Sequence, residues 1–111
     1  MNAGKSESVD YDKVLSKYYG EEQVTTIITI KVDTKEADSV AHEISEHNNI
    51  EDLFLVTGDT DIVAKAKFTS YRELKDFVVN FLSNIKGIKE TKTLMVVTAY
   101  KEKGAKIEFE Q

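Results

Sequence analysis

Residues 50–68 read IEDLFLVTGDTDIVAKAKF, and this stretch decides which fold the rest of the chain can adopt. Two strand-like runs, Ile50 to Thr57 and Asp61 to Phe68, stand on either side of a turn. Gly58 gives that turn the backbone freedom that a tight reversal requires. The stretch therefore predicts a β-hairpin with two carboxylates near its tip, and short loops held by rigid strands commonly bind ligands.

The residues before the hairpin predict one strand and one helix. From Val24 onward, apolar residues recur at every second position, which is the period of a strand with one buried face. Asp33 and Glu36 then resemble a capping box, and apolar residues at helical spacing predict a helix that ends at His47. The predicted buried face of the strand consists of Thr26, Ile28, Ile30 and Val32.

The residues after the hairpin repeat the order of helix and strand. Ser70 and Glu73 form a second candidate capping box, at the start of a helix that is predicted to end near Gly87. Ile88 to Tyr100 predicts a fourth strand, and Ala105 to Phe109 predicts a short fifth strand. The apolar positions of the second helix are Tyr71, Leu74, Phe77, Val78, Phe81 and Ile85.

The order of these elements, βαββαβ with an extra strand, predicts an α+β fold. Two right-handed βαβ units in this order give an antiparallel sheet of four strands with both helices on one face. This arrangement is the ferredoxin-like sandwich. Residues 24–111 are predicted to form this domain, and residues 1–23 are predicted to form a polar arm with one short helix closed by Gly20.

The face of the sheet that carries no helix is predicted to be apolar as well. Ile27, Val63 and one of Phe54 or Leu55 would lie there, with alternate residues of the run 94–97. Removing apolar surface from water is favourable by about 25 cal/mol per Å², so covering such a face contributes on the order of several kcal/mol. We therefore expect a homodimer in which two sheets pack against each other.

The composition argues against several classes of protein. Lys and Arg number 15 against 20 Asp and Glu, and the resulting formal charge of -5 opposes direct binding to nucleic acid. The chain has no Cys, so it has neither a disulfide nor a thiolate metal site. No apolar stretch is long enough to span a membrane and no secretory signal is recognisable, so we expect a cytoplasmic protein.

No arrangement of residues predicts catalysis or a metal centre. The sequence shows no nucleophile beside a base, no Gly-x-Ser-x-Gly motif and no Gly-rich phosphate loop. His42 and His47 would lie about 140° apart around a helix, too far apart to bind one ion. His47 is expected at a solvated helix end instead. We therefore expect no catalytic residue, no metal and no cofactor, and the protein is not predicted to be an enzyme.

Two segments resemble the ligand-binding RAM domain (regulation of amino-acid metabolism) of the leucine-responsive regulatory protein/AsnC (Lrp/AsnC) family. Residues 56–63, VTGDTDIV, are similar to the family signature of strand, Gly, Asp, aromatic residue, Asp and strand, with Thr60 at the aromatic position. Gly87-Ile88 with Thr91-Lys92-Thr93 resembles the family segment Gly-Val-x-x-Thr-x-Thr. Both segments lie at the expected places in the βαββαβ order, and the likeness spans Val24 to Phe109.

The resemblance implies a sensor of amino acids or similar metabolites that acts without covalent chemistry. It also implies homodimers that assemble into tetramers or octamers and bind the ligand where dimers meet. Residues 1–23 do not resemble the DNA-binding helix-turn-helix of the family, so we expect action through oligomerisation or through a partner such as a full-length family member. The implied ligand-binding residues are Gly58, Asp59, Thr60, Asp61, Thr91 and Thr93.

Other interpretations of the same residues remain open. The Gly58 loop also suits an ordinary hairpin turn, and Thr91 and Thr93 also suit a strand through their β-propensity alone. The fold is shared by small dimeric αβ-barrel enzymes and by ACT-type allosteric modules. Gly58 at the hairpin, instead of a Gly-rich turn after the first strand, favours the RAM-like regulator.

Overall fold

The computed structural model describes residues 23–59 and 61–108 of the chain. The predicted helix of the N-terminal arm, Thr60 and Phe109 lie outside these residues. None of the described helices is long and apolar enough to span a membrane.

The described helices and strands follow one another in the predicted order. They are β1 (Val24–Val32), α1 (Ala37–Ser45), β2 (Ile50–Leu55), β3 (Ile62–Phe68), α2 (Tyr71–Asp76), β4 (Ile88–Met95), β5 (Lys101–Glu102) and β6 (Ala105–Lys106).

Strands β1 to β4 form one antiparallel sheet in the order β2-β3-β1-β4. Strand β1 lies inside the sheet, where Ile28 is opposite Ala64 of β3 and Thr93 of β4. Strands β2 and β4 form its two edges. With two helices on one face, this is the ferredoxin-like α+β fold, and the prediction is confirmed.

The core lies between the sheet and both helices. Alternate residues of β1 and β3 are buried, as the two-residue period of a strand requires. Val40 and Ile44 of α1 and Leu74 of α2 belong to the same buried cluster, so both helices cover the same face. The residues predicted for the buried face of β1 are all buried, and the hydroxyl of Thr26 donates to the carbonyl of Ala66 at 3.3 Å.

Helix α2 continues into a π-helical turn at Phe77–Phe81 and a 3₁₀ turn at Leu82–Asn84. A π turn changes the number of residues per turn, so the buried face shifts along the chain. Phe81 is half-buried and packs against the core, as Tyr71 and Val78 do, whereas Leu82, which the apolar spacing did not include, is 1% exposed. The predicted apolar stripe missed Leu82 because it assumed an unbroken α-helical period.

The fourth strand is shorter than predicted. It ends at Met95, not at Tyr100, because β1 begins at Val24 and offers no partner beyond the bond from the Val96 N–H to the Thr25 carbonyl at 2.9 Å. Strands β5 and β6 then pair with each other in a separate sheet, so the predicted fifth strand does not extend the main sheet.

Gly87 permits a close contact between the chain before β4 and the start of α1. Its φ is 102°, and its carbonyl accepts a hydrogen bond from the Asp33 N–H at 2.9 Å. A Cβ at this position would lie 2.7 Å from the Cβ of Glu36. Glycine is therefore required here for both conformation and space.

We predict that Gly87→Ala destabilises the protein by about 1–3 kcal/mol, because the variant is strained at a positive φ and meets the Glu36 side chain. Gly104→Ala is the matched control, since its φ is 81° but no atom lies within 4 Å of the added Cβ. Urea unfolding should show the larger loss for Gly87→Ala. Equal losses in the two variants would contradict a role for the contact with Glu36.

Candidate functional site

The tip of the β2–β3 hairpin is held to strand β1. Gly58 has a φ of 113°, and the Val56 N–H donates to the Asp61 carbonyl at 2.8 Å. The Asp61 carboxylate accepts a hydrogen bond from the Val32 N–H at 2.9 Å. Asp61 therefore already has a structural role, because it caps a backbone donor at the end of β1.

Asp59 lies beside a recess on the sheet face that carries none of the described helices, which we call the open face. The ammonium group of Lys31 donates to the Asp59 backbone carbonyl at 2.6 Å and so fixes the loop over the strand. The recess has a volume of about 320 Å³. Its lining residues are Thr29, Lys31, Asp59, Glu90 and Lys92.

Pairing between β1 and β4 brings these side chains together. Lys31 lies opposite Glu90, and Thr29 lies opposite Lys92. All four side chains point to the open face, because the intervening positions of β1 are buried on the other face. The recess thus offers ammonium groups, carboxylates and a hydroxyl, which suit a small ligand that carries both signs of charge.

Thr91 and Thr93 lie on the opposite face from this recess. They are paired with Ile30 and Ile28, whose side chains are buried under the helices. Thr93 lines a recess of about 290 Å³ with Val79 and other apolar residues of the helix side. Within one chain, the structure therefore brings Asp59 and Lys92 together but does not bring either threonine to them.

Sequence reasoning missed Lys31, Glu90 and Lys92. Lys92 stands inside the Thr-x-Thr segment, where strand alternation places it on the face opposite its two neighbours. That alternation was the one available signal. The pairing register between β1 and β4 could not be read from the sequence, so Lys31 and Glu90 had no visible connection to the hairpin tip.

The open face carries the predicted apolar residues. Phe54 lies opposite Val63 and is 59% exposed, and Leu94 lies opposite Ile27 and is 55% exposed. Leu55 lies opposite the buried Ile62, so Phe54 is the residue of that pair on the open face. An exposed apolar band that crosses a sheet from one edge strand to the other typically marks an interaction surface.

One end of the open face is covered by the chain itself. Glu102 of β5 accepts from Lys65 at 2.6 Å and from Lys67 at 3.3 Å. Glu51 of β2 contacts the same two lysines, at 3.2 and 3.6 Å, and Lys103 at 3.5 Å. We call these five residues the charged cluster, and it ties the β5–β6 hairpin to the sheet.

The charged cluster shifts the pKa values of its members. Hydrogen bonds from Lys65 and Lys67 lower the pKa of Glu102, and the bond to Glu102 raises the pKa of Lys65. Burial opposes ionisation of Glu51, but the nearby lysines outweigh it and the pKa of Glu51 is lowered. Each shift favours the charged form, so the cluster is stable near neutral pH.

The two histidines differ from their predicted surroundings at one position. Within the described residues, no group of three or more His, Cys, Asp or Glu side chains is placed to hold a metal ion. His47 is half-buried, with its ring centroid 4.6 Å from those of Phe77 and Phe81, and its Nδ1 accepts from the Asn49 N–H at 3.2 Å. The expectation of a solvated helix end was therefore wrong for His47, which packs against α2 and its π turn.

Comparison with known proteins finds relatives among transcriptional regulators. The Lrp/AsnC ligand binding domain matches residues 25–105. An uncharacterised HTH-type transcriptional regulator of Pyrococcus furiosus is 32% identical over 79 residues, which are 71% of this chain and 53% of that protein. The chain spans about half the length of the curated relatives it matches.

Two solved structures have a similar fold. The protein TTHA0845 of Thermus thermophilus superimposes with a TM-score of 0.67 at 25% identity, over 71% of this chain and 99% of that one. A transcriptional regulator of Neisseria meningitidis, solved as a complex with L-methionine, gives a TM-score of 0.68 at 22% identity, over 82% of this chain and 58% of that one. At 22% identity, the second likeness concerns the fold alone.

We predict that the β5–β6 hairpin detaches from the sheet at both extremes of pH. The carboxylates contribute stability above their ordinary pKa of 4.5, and this contribution is lost as the pH falls through their lowered pKa values. Lys65 contributes stability below its ordinary pKa of 10.5. This contribution is lost as the pH rises through the raised pKa of Lys65. The Ile107 N–H bonds the Tyr100 carbonyl at 2.8 Å within the hairpin, so its hydrogen exchange, corrected for intrinsic rates, reports the opening of a hairpin that has lost its ion pairs to the sheet.

At pH 7, Glu102→Gln should increase that exchange by about fivefold, since two contacts each worth about 0.5 kcal/mol are weakened. Glu108→Gln is the control, because Glu108 takes part in none of the ion pairs of the described residues. If both variants exchange at the parent rate, the charged cluster does not hold the hairpin.

Proposed function

Since this chain belongs to the Lrp/AsnC ligand binding domain family, we propose that it is a regulatory module that senses an amino acid or a related small metabolite. The family is one of transcriptional regulators and not of enzymes. The observation that carries the proposal is the charged recess of about 320 Å³ beside the Asp59 loop. This recess is large enough for a small ligand and lies next to a surface that is suited to association.

The recess suits the backbone groups of an amino acid. In the proposed complex, the carboxylates of Asp59 and Glu90 accept from the ligand ammonium group, and Lys92 donates to the ligand carboxylate. Lys31 contributes positive charge while it holds the Asp59 carbonyl. Such binding uses charge-assisted hydrogen bonds only, so it requires no cofactor and makes no covalent bond.

Of the two aspartates in the loop, Asp59 is the stronger candidate for a direct contact with the ligand. The Asp61 carboxylate accepts a hydrogen bond from the Val32 N–H, so replacing Asp61 would disturb the hairpin as well as any ligand binding. Gly58 remains a predicted ligand contact, and no atom lies within 4 Å of where its Cβ would be. We propose that Thr91 and Thr93 reach the ligand only from another copy of the chain, because they lie on the other face of the sheet.

We propose that ligand binding is coupled to assembly. A second copy would cover the apolar band of Phe54, Val63, Ile27 and Leu94, and the charged recess lies on the same open face. A ligand that fits the associated form better than the free form shifts the equilibrium between them. The changed assembly would act on transcription through a partner regulator or a higher oligomer, from tetramer to octamer.

The solved Neisseria regulator binds L-methionine, and we propose that this chain also takes an amino acid. The described residues that line the recess beside Asp59 are all polar or charged. An apolar ligand side chain would remove these charges from water without replacing their hydrogen bonds. We therefore propose that a polar or charged amino acid binds there in preference to methionine.

We predict that at least one of the twenty amino acids raises the melting temperature of the parent protein. At a ligand concentration about a hundred times Kd, the expected stabilisation is about 2.7 kcal/mol. Asp59→Asn should weaken binding about tenfold, because one charge-assisted contact is lost. Asp38→Asn is the control, since Asp38 is on α1 and does not line the recess.

Differential scanning fluorimetry with each amino acid measures these shifts in the parent and both variants. If no amino acid stabilises the parent, the proposed sensing function is wrong. If Asp59→Asn keeps the full shift of the parent, the ligand binds somewhere other than this recess.

A further inference from the structure

The outer edge of β4 carries backbone groups that no strand of the described sheet pairs with. The Val96 N–H donates to the Thr25 carbonyl, which fixes the direction of every backbone group along β4. Even-numbered residues of this strand direct their N–H and C=O groups toward β1. Odd-numbered residues therefore direct theirs outward, and these are Lys89, Thr91, Thr93 and Met95.

The charges of β4 are complementary to those of a second β4. When two antiparallel copies are centred on Thr91, Glu90 of each strand lies opposite Lys92 of the other. Thr91 then forms a hydrogen-bonded pair with Thr91 of the second copy, as its outward backbone groups allow. We propose that two copies of this chain associate edge to edge through β4, in this register.

The neighbouring registers are disfavoured by the same charges. Centring the pair on Glu90 sets two carboxylates opposite each other, and centring it on Lys92 does the same for two ammonium groups. Charged residues on an edge strand usually prevent pairing with other chains. Here they disfavour the two adjacent registers and favour the one in which opposite charges meet.

The helix side of this edge is apolar and becomes covered in the proposed pair. Val79 is 53% exposed, and it lines both the recess beside Thr93 and an adjoining recess of about 520 Å³ beside Thr91. An antiparallel pair of edges keeps the helices of both copies on one face of the joined sheet. The second copy therefore brings its own Val79 toward the same groove.

This edge surface is distinct from the open face. A strand edge and a sheet face of one chain can be covered at the same time, so the two contacts together build assemblies larger than a dimer. The edge contact uses backbone groups and charges of β4 and does not depend on a bound amino acid. Glu90 and Lys92 also line the recess, so the edge contact is tested separately from sensing by Thr91→Cys, which changes no residue of the recess.

Cysteine crosslinking of the full chain tests the edge contact, because the protein has no Cys of its own. Hydrogen-bonded antiparallel partners have Cα atoms about 5.5 Å apart, which is within the range that a disulfide spans. Thr91→Cys should therefore form a covalent dimer under mild oxidation at least about tenfold faster than Thr93→Cys. Residue 93 is the control, because in this register it lies opposite Lys89 of the second copy and not opposite itself. Equal rates for the two variants would overturn the proposal.

A charge exchange provides the second test. Adding Glu90→Lys to Thr91→Cys should slow crosslinking, and adding Lys92→Glu as well should restore it, because the pairs are then reversed but complementary. Failure of the double exchange to restore the rate, with both variants folded by circular dichroism, would also overturn the proposed register.

Discussion

The sheet of this protein has two apolar faces, and the helices within residues 23–59 and 61–108 cover only one of them. The buried side of β1 packs under α1 and α2, whereas the open face carries Ile27 of β1 opposite Leu94, and Val63 of β3 opposite Phe54. Two of these side chains are more than half exposed, which is costly in water. In the proposed function, the need to cover this band links the fold to association, and association to regulation.

Polar groups are placed around this band. The charged cluster at one end fastens the β5–β6 hairpin over the sheet, and the recess with Asp59 and Lys92 lies at the other end of β1. A ligand in this recess touches residues of β1 and β4 and the hairpin tip together. In the proposed function, binding energy at such a junction is differential between free and associated chains, which is the physical requirement for a switch.

The sequence predicted the features that follow from local periodicity. Alternation in β1 and β3, the turn at Gly58 and the apolar face of α1 all depend on neighbours in the chain, and the fold order followed from them. The end of β4 depends instead on where β1 begins, and the burial of Leu82 depends on a π turn. The recess was missed because Lys31 and Glu90 meet only through strand register, and the same register separates Thr91 and Thr93 from Asp59 within one chain.

The most direct test of the central claim is sedimentation equilibrium of the parent protein and of Phe54→Lys at micromolar concentration. Phe54 is 59% exposed, so a lysine there should not disturb the core of one chain. The account predicts a parent mass of at least two chains and a weaker association for Phe54→Lys, because a charge replaces apolar contact on the open face. A parent protein that sediments as a single chain, or an association that Phe54→Lys leaves unchanged, would contradict it.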